Sequence, residues 1–101
     1  MNVLFICNQN KHRSKTAETL FKDNFETQSA GLFNEKPLTE KQLAWADLVV
    51  VMEDHQRKEI SNRFPKTYLQ KKIITLDIPD VYSLNDPTLI HTLKKKVAAL
   101  L

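Results

Sequence analysis

Apolar, strand-like runs alternate along this chain with stretches of helical periodicity, and the alternation predicts an α/β fold. The expected architecture is a single-domain three-layer sandwich: a four-stranded parallel sheet with helices on both faces. Three observations carry that expectation. Asn2-Val-Leu-Phe-Ile-Cys7 and Leu48-Val-Val-Val-Met52 are short apolar runs rich in β-formers, the pattern of strands covered on both faces. Apolar residues at helical spacing follow the first run almost at once. The length, 101 residues, suits one core and leaves little room for a second, so one domain spans residues 1–101.

The elements follow in order. After the first strand, Ala17, Leu20, Phe21 and Phe25 fall at helical spacing, which predicts an amphipathic helix from Ser14 to about Phe25. Thr27 to Ala30 is a candidate second strand, and Gly31, the only glycine, breaks the path after it. Pro37 to Ala46 reads as a short helix, with Thr39 able to cap it and Leu43 and Ala44 on its apolar side. Leu48–Met52 is the clearest strand. Glu53 to Phe64 is a charged helix whose acids come early, as the helix dipole favours. Ile73–Leu76 is a fourth short strand, and Asp77 to Asn85 a loop containing Pro79. Asp86-Pro87 supplies an N-cap and a proline at the first helical position, and the last helix runs on toward the C-terminus. Parallel sheets of this kind bind ligands at the carboxyl ends of their strands, near the switch in strand order. Cys7 lies at the carboxyl end of the first strand.

Composition narrows the function. With 42% hydrophobic and 27% charged residues the chain is an ordinary globular sequence, not a disordered one. No apolar run approaches the roughly 20 residues of a membrane span, and no basic segment followed by a long apolar stretch opens the chain. A cytoplasmic location is expected, with no membrane partner. The single cysteine can make neither an internal disulfide nor a Cys-rich zinc site. It is a small buried hydrophobe or a reactive thiol. His12, His55 and His91 lack metal-ligand spacing, so neither metal nor cofactor is expected. His55 and His91 suit surface or helix-packing roles, and Trp45 and the Phe residues suit the core. The net charge of +3 is compatible with an anionic substrate. Its lysines are scattered without interleaved aromatics, which argues against a nucleic-acid partner. Lys94-Lys-Lys96 suits the carboxyl end of a helix.

The chemistry concentrates in CNQNKHRS, Cys7 to Ser14, between the first strand and the first helix. Five residues between a cysteine and an arginine are enough to wrap a loop around a tetrahedral oxyanion. The inward N–H groups of Asn8, Gln9, Asn10, Lys11 and His12, and the helix start behind them, would hold the anion. Arg13 would clamp two of its oxygens with a planar fork. The same positive field favours the thiolate of Cys7. A thiolate facing a phosphate monoester can displace the alcohol and form a phosphocysteine. Ser14 could donate to that sulfur and make it a better leaving group. An arginine at one fixed offset from a cysteine arises by chance about one time in twenty. A buried cysteine beside an ordinary helix-start arginine is therefore the competing explanation. The strand–loop–helix setting and the terminal Arg-Ser favour the phosphate loop.

At these residues the sequence resembles the low-molecular-weight protein tyrosine phosphatases. VLFICNQNKHRSKTAETLF is similar to the family's first strand, phosphate loop and first helix. SAG at Ser29–Gly31 resembles the end of its second strand, ADLVVVMEDH at Ala46–His55 its third strand and following turn, and IPDVY at Ile78–Tyr82 its general-acid loop. The resemblance covers most of the chain. It implies Cys7 as nucleophile, Arg13 on the phosphate, Asn10 and Ser14 shaping the loop and Ser29 buttressing it. It further implies Asp80 as general acid and then base, with Tyr82 lining the entrance. Asp77 is the rival acid. The family usually has a glycine at Gln9, which implies strain if that position takes a positive φ. A second cysteine is usual at His12, and a proline at Val81. The region between Gly31 and Ala46, where the family places residues that choose the substrate, is short.

The expected function is hydrolysis of phosphate monoesters on a phosphorylated protein or a small aryl phosphate. A phosphate-binding module without turnover is the alternative. An arsenate reductase is a third, disfavoured because thioredoxin-coupled versions relay oxidation through further cysteines.

Overall fold

The first strand, β1 (Asn2–Cys7), is apolar on both faces because both faces are covered. It lies between β2 (Glu26–Gly31) and β3 (Leu48–Val51), with β4 (Lys72–Thr75) beyond β3, in the order β2-β1-β3-β4. Every pairing is parallel. Cys7 is in register with Gly31, and Ile6 with both Ala30 and Val51. The structure, a computed structural model, describes residues 1–100 of the chain. It has the expected four-stranded parallel sheet, and the chain crosses from β2 to β3 over the central strand. That puts the switch in strand order at the carboxyl ends of β1 and β3.

Strand alternation divides the core. Val3, Phe5 and Cys7 face one layer, formed by α1 (Arg13–Phe21) and α5 (Pro87–Leu100), with Ala17, Leu89, Leu93 and Val97 buried against them. Leu4 and Ile6 face the other layer, formed by α2 (Glu40–Trp45), α3 (Asp54–Arg63) and α4 (Pro65–Gln70). There Leu43 and Ile60 are buried. Trp45 is only half-buried and packs at the edge of this second cluster. Among the described residues no helix is long and apolar enough to cross a membrane.

The helix ends show where local chemistry decides. The hydroxyl of Thr39 accepts from Gln42 N–H at 3.1 Å, so α2 starts at Glu40 and leaves Pro37 outside. Asp86 Oδ1 accepts from Thr88 N–H at 2.8 Å, and Pro87 opens α5 as expected. α1 stops at Phe21, four residues short of the expected end. Asp23 and Asn24 are poor helix formers; the N–H groups of Asn24 and Phe25 both donate to Phe21 O and close a turn there, while Phe25 still reaches the core. α4 was not expected from the sequence. Phe64 leaves helical geometry and Pro65 starts a new helix at its first position.

Candidate active site

Residues 8–12 leave the carboxyl end of β1 and curl back over Cys7 before α1 begins. The curl needs one residue in the left-handed region, and Asn10 takes it with φ 55°. Asparagine tolerates that conformation better than most side chains. Gln9 does not have a positive φ, so the strain expected there is absent. Asn10 N–H donates to Cys7 Sγ at 3.1 Å, and Ser14 Oγ lies 2.9 Å from the same sulfur. Ser14 Oγ in turn donates to Asn10 Oδ1 at 2.7 Å. Asn10 N–H is thus aimed at the sulfur, while the Ser14 hydroxyl gives its one hydrogen to Asn10 Oδ1.

Gly31, in register with Cys7, is needed for space and not for φ. A Cβ there would lie 2.9 Å from Asn10 N and 2.5 Å from Asn34 Oδ1. The loop passes directly over the end of β2. Leu32 and Phe33 N–H donate to Asn8 O at 2.9 and 2.8 Å and tie the following segment to the loop.

Arg13 is the largest fully buried side chain, at 1% exposure. A buried guanidinium requires partners. Nη1 donates to Glu53 Oε1 and, at 2.8 Å, to the carbonyl of Ile78. Nε lies 3.7 Å from Asp80 Oδ1. Arg13 thus joins the loops that follow β1, β3 and β4. Glu53 is held in turn: its N–H and that of Met52 donate to Gln56 Oε1, at 3.0 and 2.8 Å. Gln56 is fully buried, and its Nε2 donates to Asn8 Oδ1 at 2.9 Å.

A cleft of about 400 Å³ opens over this arrangement. Cys7, Gln9, Lys11, His12 and Arg13 line its floor and one wall, and Asp80, Val81, Tyr82 and Ser83 line the other. The structure therefore brings Cys7, Arg13, Asp80 and Tyr82 to one cleft. Asp77 is exposed, has φ 57° and does not line it. The side chains of Asn10 and Ser14 shape the loop as expected, and that of Asn8 is held by Gln56, so none of the three lines the cleft. Ser29 does not buttress the loop: its hydroxyl donates to Glu18 Oε1 at 2.7 Å. His55, expected at the surface, is exposed, but its Nε2 lies 2.8 Å from Asn8 Oδ1. Glu53 and Gln56 were missed as site residues. The available signal was position, since an acid just past the end of β3 must sit beside the loop after β1. Among the described residues no group of three or more His, Cys, Asp or Glu side chains could hold a metal ion.

No protein-family model and no curated protein matches the sequence. Solved structures do match. A low-molecular-weight protein tyrosine phosphatase from T. tengcongensis has 24% identity and a TM-score of 0.78, over 100% of this chain and 99% of that one. The tyrosine phosphatase Wzb from Escherichia coli K30, in complex with phosphate, has 20% identity and a TM-score of 0.81, over 98% and 94%. This chain has the low-molecular-weight phosphatase fold. YwlE from Bacillus subtilis shares 27% identity with a TM-score of 0.68, over 99% and 90%, and YwlE structures are described as arginine phosphatases. Relatives with this phosphatase fold thus include both tyrosine and arginine phosphatases.

Proposed function

We propose that this chain hydrolyses phosphate monoesters, preferring aryl phosphates such as phosphotyrosine on a protein, through a phosphocysteine on Cys7. The observation that carries the reading is the single cleft holding a thiol with two hydrogen-bonding partners, a buried arginine and an acid across the opening. Cys7 thiolate attacks phosphorus, and the bond from phosphorus to the leaving oxygen breaks. Asp80 gives that oxygen its proton. Water then attacks the phosphocysteine as Asp80 carboxylate takes its proton, and the S–P bond breaks to return the thiolate and free phosphate. Loop N–H groups and Arg13 stabilise the charge on the equatorial oxygens in both steps. The reading needs neither metal nor cofactor, and a reducing compartment such as the cytoplasm would keep the lone thiol intact.

Phosphoarginine is the second substrate that the YwlE likeness supports. Its guanidinium stays cationic, however, and Lys11 brings an ammonium to the same cleft. Val81 and Tyr82 suit a flat apolar ring better. Turnover without metal is tested with p-nitrophenyl phosphate, phosphotyrosine and phosphoarginine. Activity should survive EDTA, rank phosphotyrosine above phosphoarginine, and vanish in Cys7→Ser while phosphate still binds. Activity that EDTA abolishes and a divalent ion restores would refute this mechanism. Phosphate binding without turnover would favour the binding-module reading.

A further inference from the structure

A second cleft, of about 510 Å³, adjoins the first and shares Gln9 and Lys11 with it. Its other wall is the segment after β2: Phe33, Asn34, Glu35 and Lys36. Hydrogen bonds from Leu32 and Phe33 to Asn8 O fix the start of that wall to the phosphate loop. The size falls within the range of ordinary ligand sites.

The charges here are left open. Lys11 and Lys36 are exposed, and neither ammonium lies within 4.0 Å of a carboxylate among the described residues. Among the described residues Glu35 is the only acid lining the cleft. Phe33 is 54% exposed, with the Arg63 guanidinium 5.2 Å from its ring centre. Asn34 keeps Oδ1 buried without a donor among the described residues. The opposite side of the first cleft carries Asp80 and the exposed Val81. One flank of the mouth is therefore cationic and aromatic, and the other acidic and apolar.

We infer that this second cleft receives an acidic side chain next to the phosphorylated residue of a protein substrate, held between Lys11 and Lys36 against Phe33. The inference rests on the phosphatase reading and narrows its substrate class to phosphoproteins with Glu or Asp beside the phosphorylated site. A chain leaving the first cleft past Lys11 enters the second directly. Two exposed ion pairs are individually weak, but a pair of unpaired lysines at a fixed place can rank substrates.

The test uses phosphotyrosyl peptides that differ only in flanking residues: Glu, Gln or Lys on one side or the other. The readout is the ratio of kcat/KM for the Glu peptide to that for its Gln counterpart. We expect a ratio of about three to ten at low salt on one flank. It should shrink toward one near 1 M salt, where the screening length falls to about 3 Å. Lys36→Ala should lower the ratio and Lys36→Glu should bring it to one or below. Turnover with a ratio near one on both flanks overturns the inference while leaving the phosphatase reading intact, as does a ratio unchanged in Lys36→Glu. If no peptide is turned over, the same ratio is read from dissociation constants on Cys7→Ser protein. If that protein binds no phosphopeptide, both readings fall.

Discussion

Glu53, just past the end of β3, holds Arg13, so that the fully buried guanidinium has an anionic partner in a loop forty residues away. The pair is asymmetric. Arg13 is 1% exposed and Glu53 32%, so water screens the carboxylate but hardly reaches the guanidinium. Glu53→Ala would leave a buried cation with only Ile78 O and the more distant Asp80. We expect a loss of about 1–3 kcal/mol of stability, the scale of a hydrogen bond to a charged group, discounted for the exposed partner. Urea unfolding measures it. A positioning role also predicts weaker competitive inhibition by inorganic phosphate, with Glu53→Gln intermediate. Phosphate inhibition unchanged in Glu53→Ala would leave Glu53 a stability role only.

Gly31→Ala is expected to damage the loop more than the fold. The new Cβ would meet Asn34 Oδ1 at 2.5 Å and the backbone nitrogen of Asn10 at 2.9 Å. The Asn34 side chain can move, but Asn10 cannot shift without loosening its N–H contact to Cys7 Sγ. Overpacking of this kind costs about 1–3 kcal/mol. A thermal melt should show that loss, and phosphate inhibition should weaken beyond what the melt explains. Wild-type phosphate affinity would mean that the loop can move aside.

What the sequence made legible, and what it hid, divides along chain separation. Cys7, Asn10, Arg13 and Ser14 lie within eight consecutive residues, so their spacing alone suggests a loop. β1 and β3 announce themselves because burial on both faces leaves no polar position after Asn2. The hold of Glu53 on Arg13, the clamp of Gln56 on Asn8 and the fit of Gly31 under Asn10 are invisible locally. Each requires knowing that β1 lies between β2 and β3. The early end of α1 and the extra helix α4 escaped for a different reason. Apolar spacing continues through Phe25, and nothing apolar and periodic marks Pro65–Gln70. Turn chemistry at Asp23-Asn24 and the proline at the first helical position decided both.

Ser14→Ala should slow the second chemical step more than the first. Ser14 Oγ is 2.9 Å from the sulfur and has one hydrogen, now directed at Asn10 Oδ1. With the thiol protonated, S–H can donate to that oxygen. When the S–P bond breaks, the hydroxyl can turn its hydrogen to the departing sulfur. Removing one such donor should cost about two orders of magnitude in the breakdown of phosphocysteine. A burst of phenol followed by slow turnover would show the intermediate accumulating. Equal slowing of both phases would make Ser14 a support of loop shape.

The leaving group needs a proton, and the loop after β4 offers two acids, Asp77 and Asp80, in different settings. Asp80 lines the cleft beside Tyr82, with a carboxylate oxygen 3.7 Å from Arg13 Nε. Asp77, three residues earlier, is exposed and turned out of the cleft by its own backbone path at φ 57°. Expelling a phenoxide of high basicity needs a proton in the transition state, whereas a fluorinated phenoxide leaves readily as the anion. Asp80→Asn should therefore slow phosphotyrosine hydrolysis by about two orders of magnitude and affect a fluorinated aryl phosphate far less. The plot of log rate against leaving-group pKa should steepen in Asp80→Asn and keep its slope in Asp77→Asn. A slope that steepens only in Asp77→Asn would move the acid to Asp77 and require the loop after β4 to rearrange on binding. If neither variant changes it, this loop gives no proton to the leaving group, and the cleft is left with phosphate binding as its supported role.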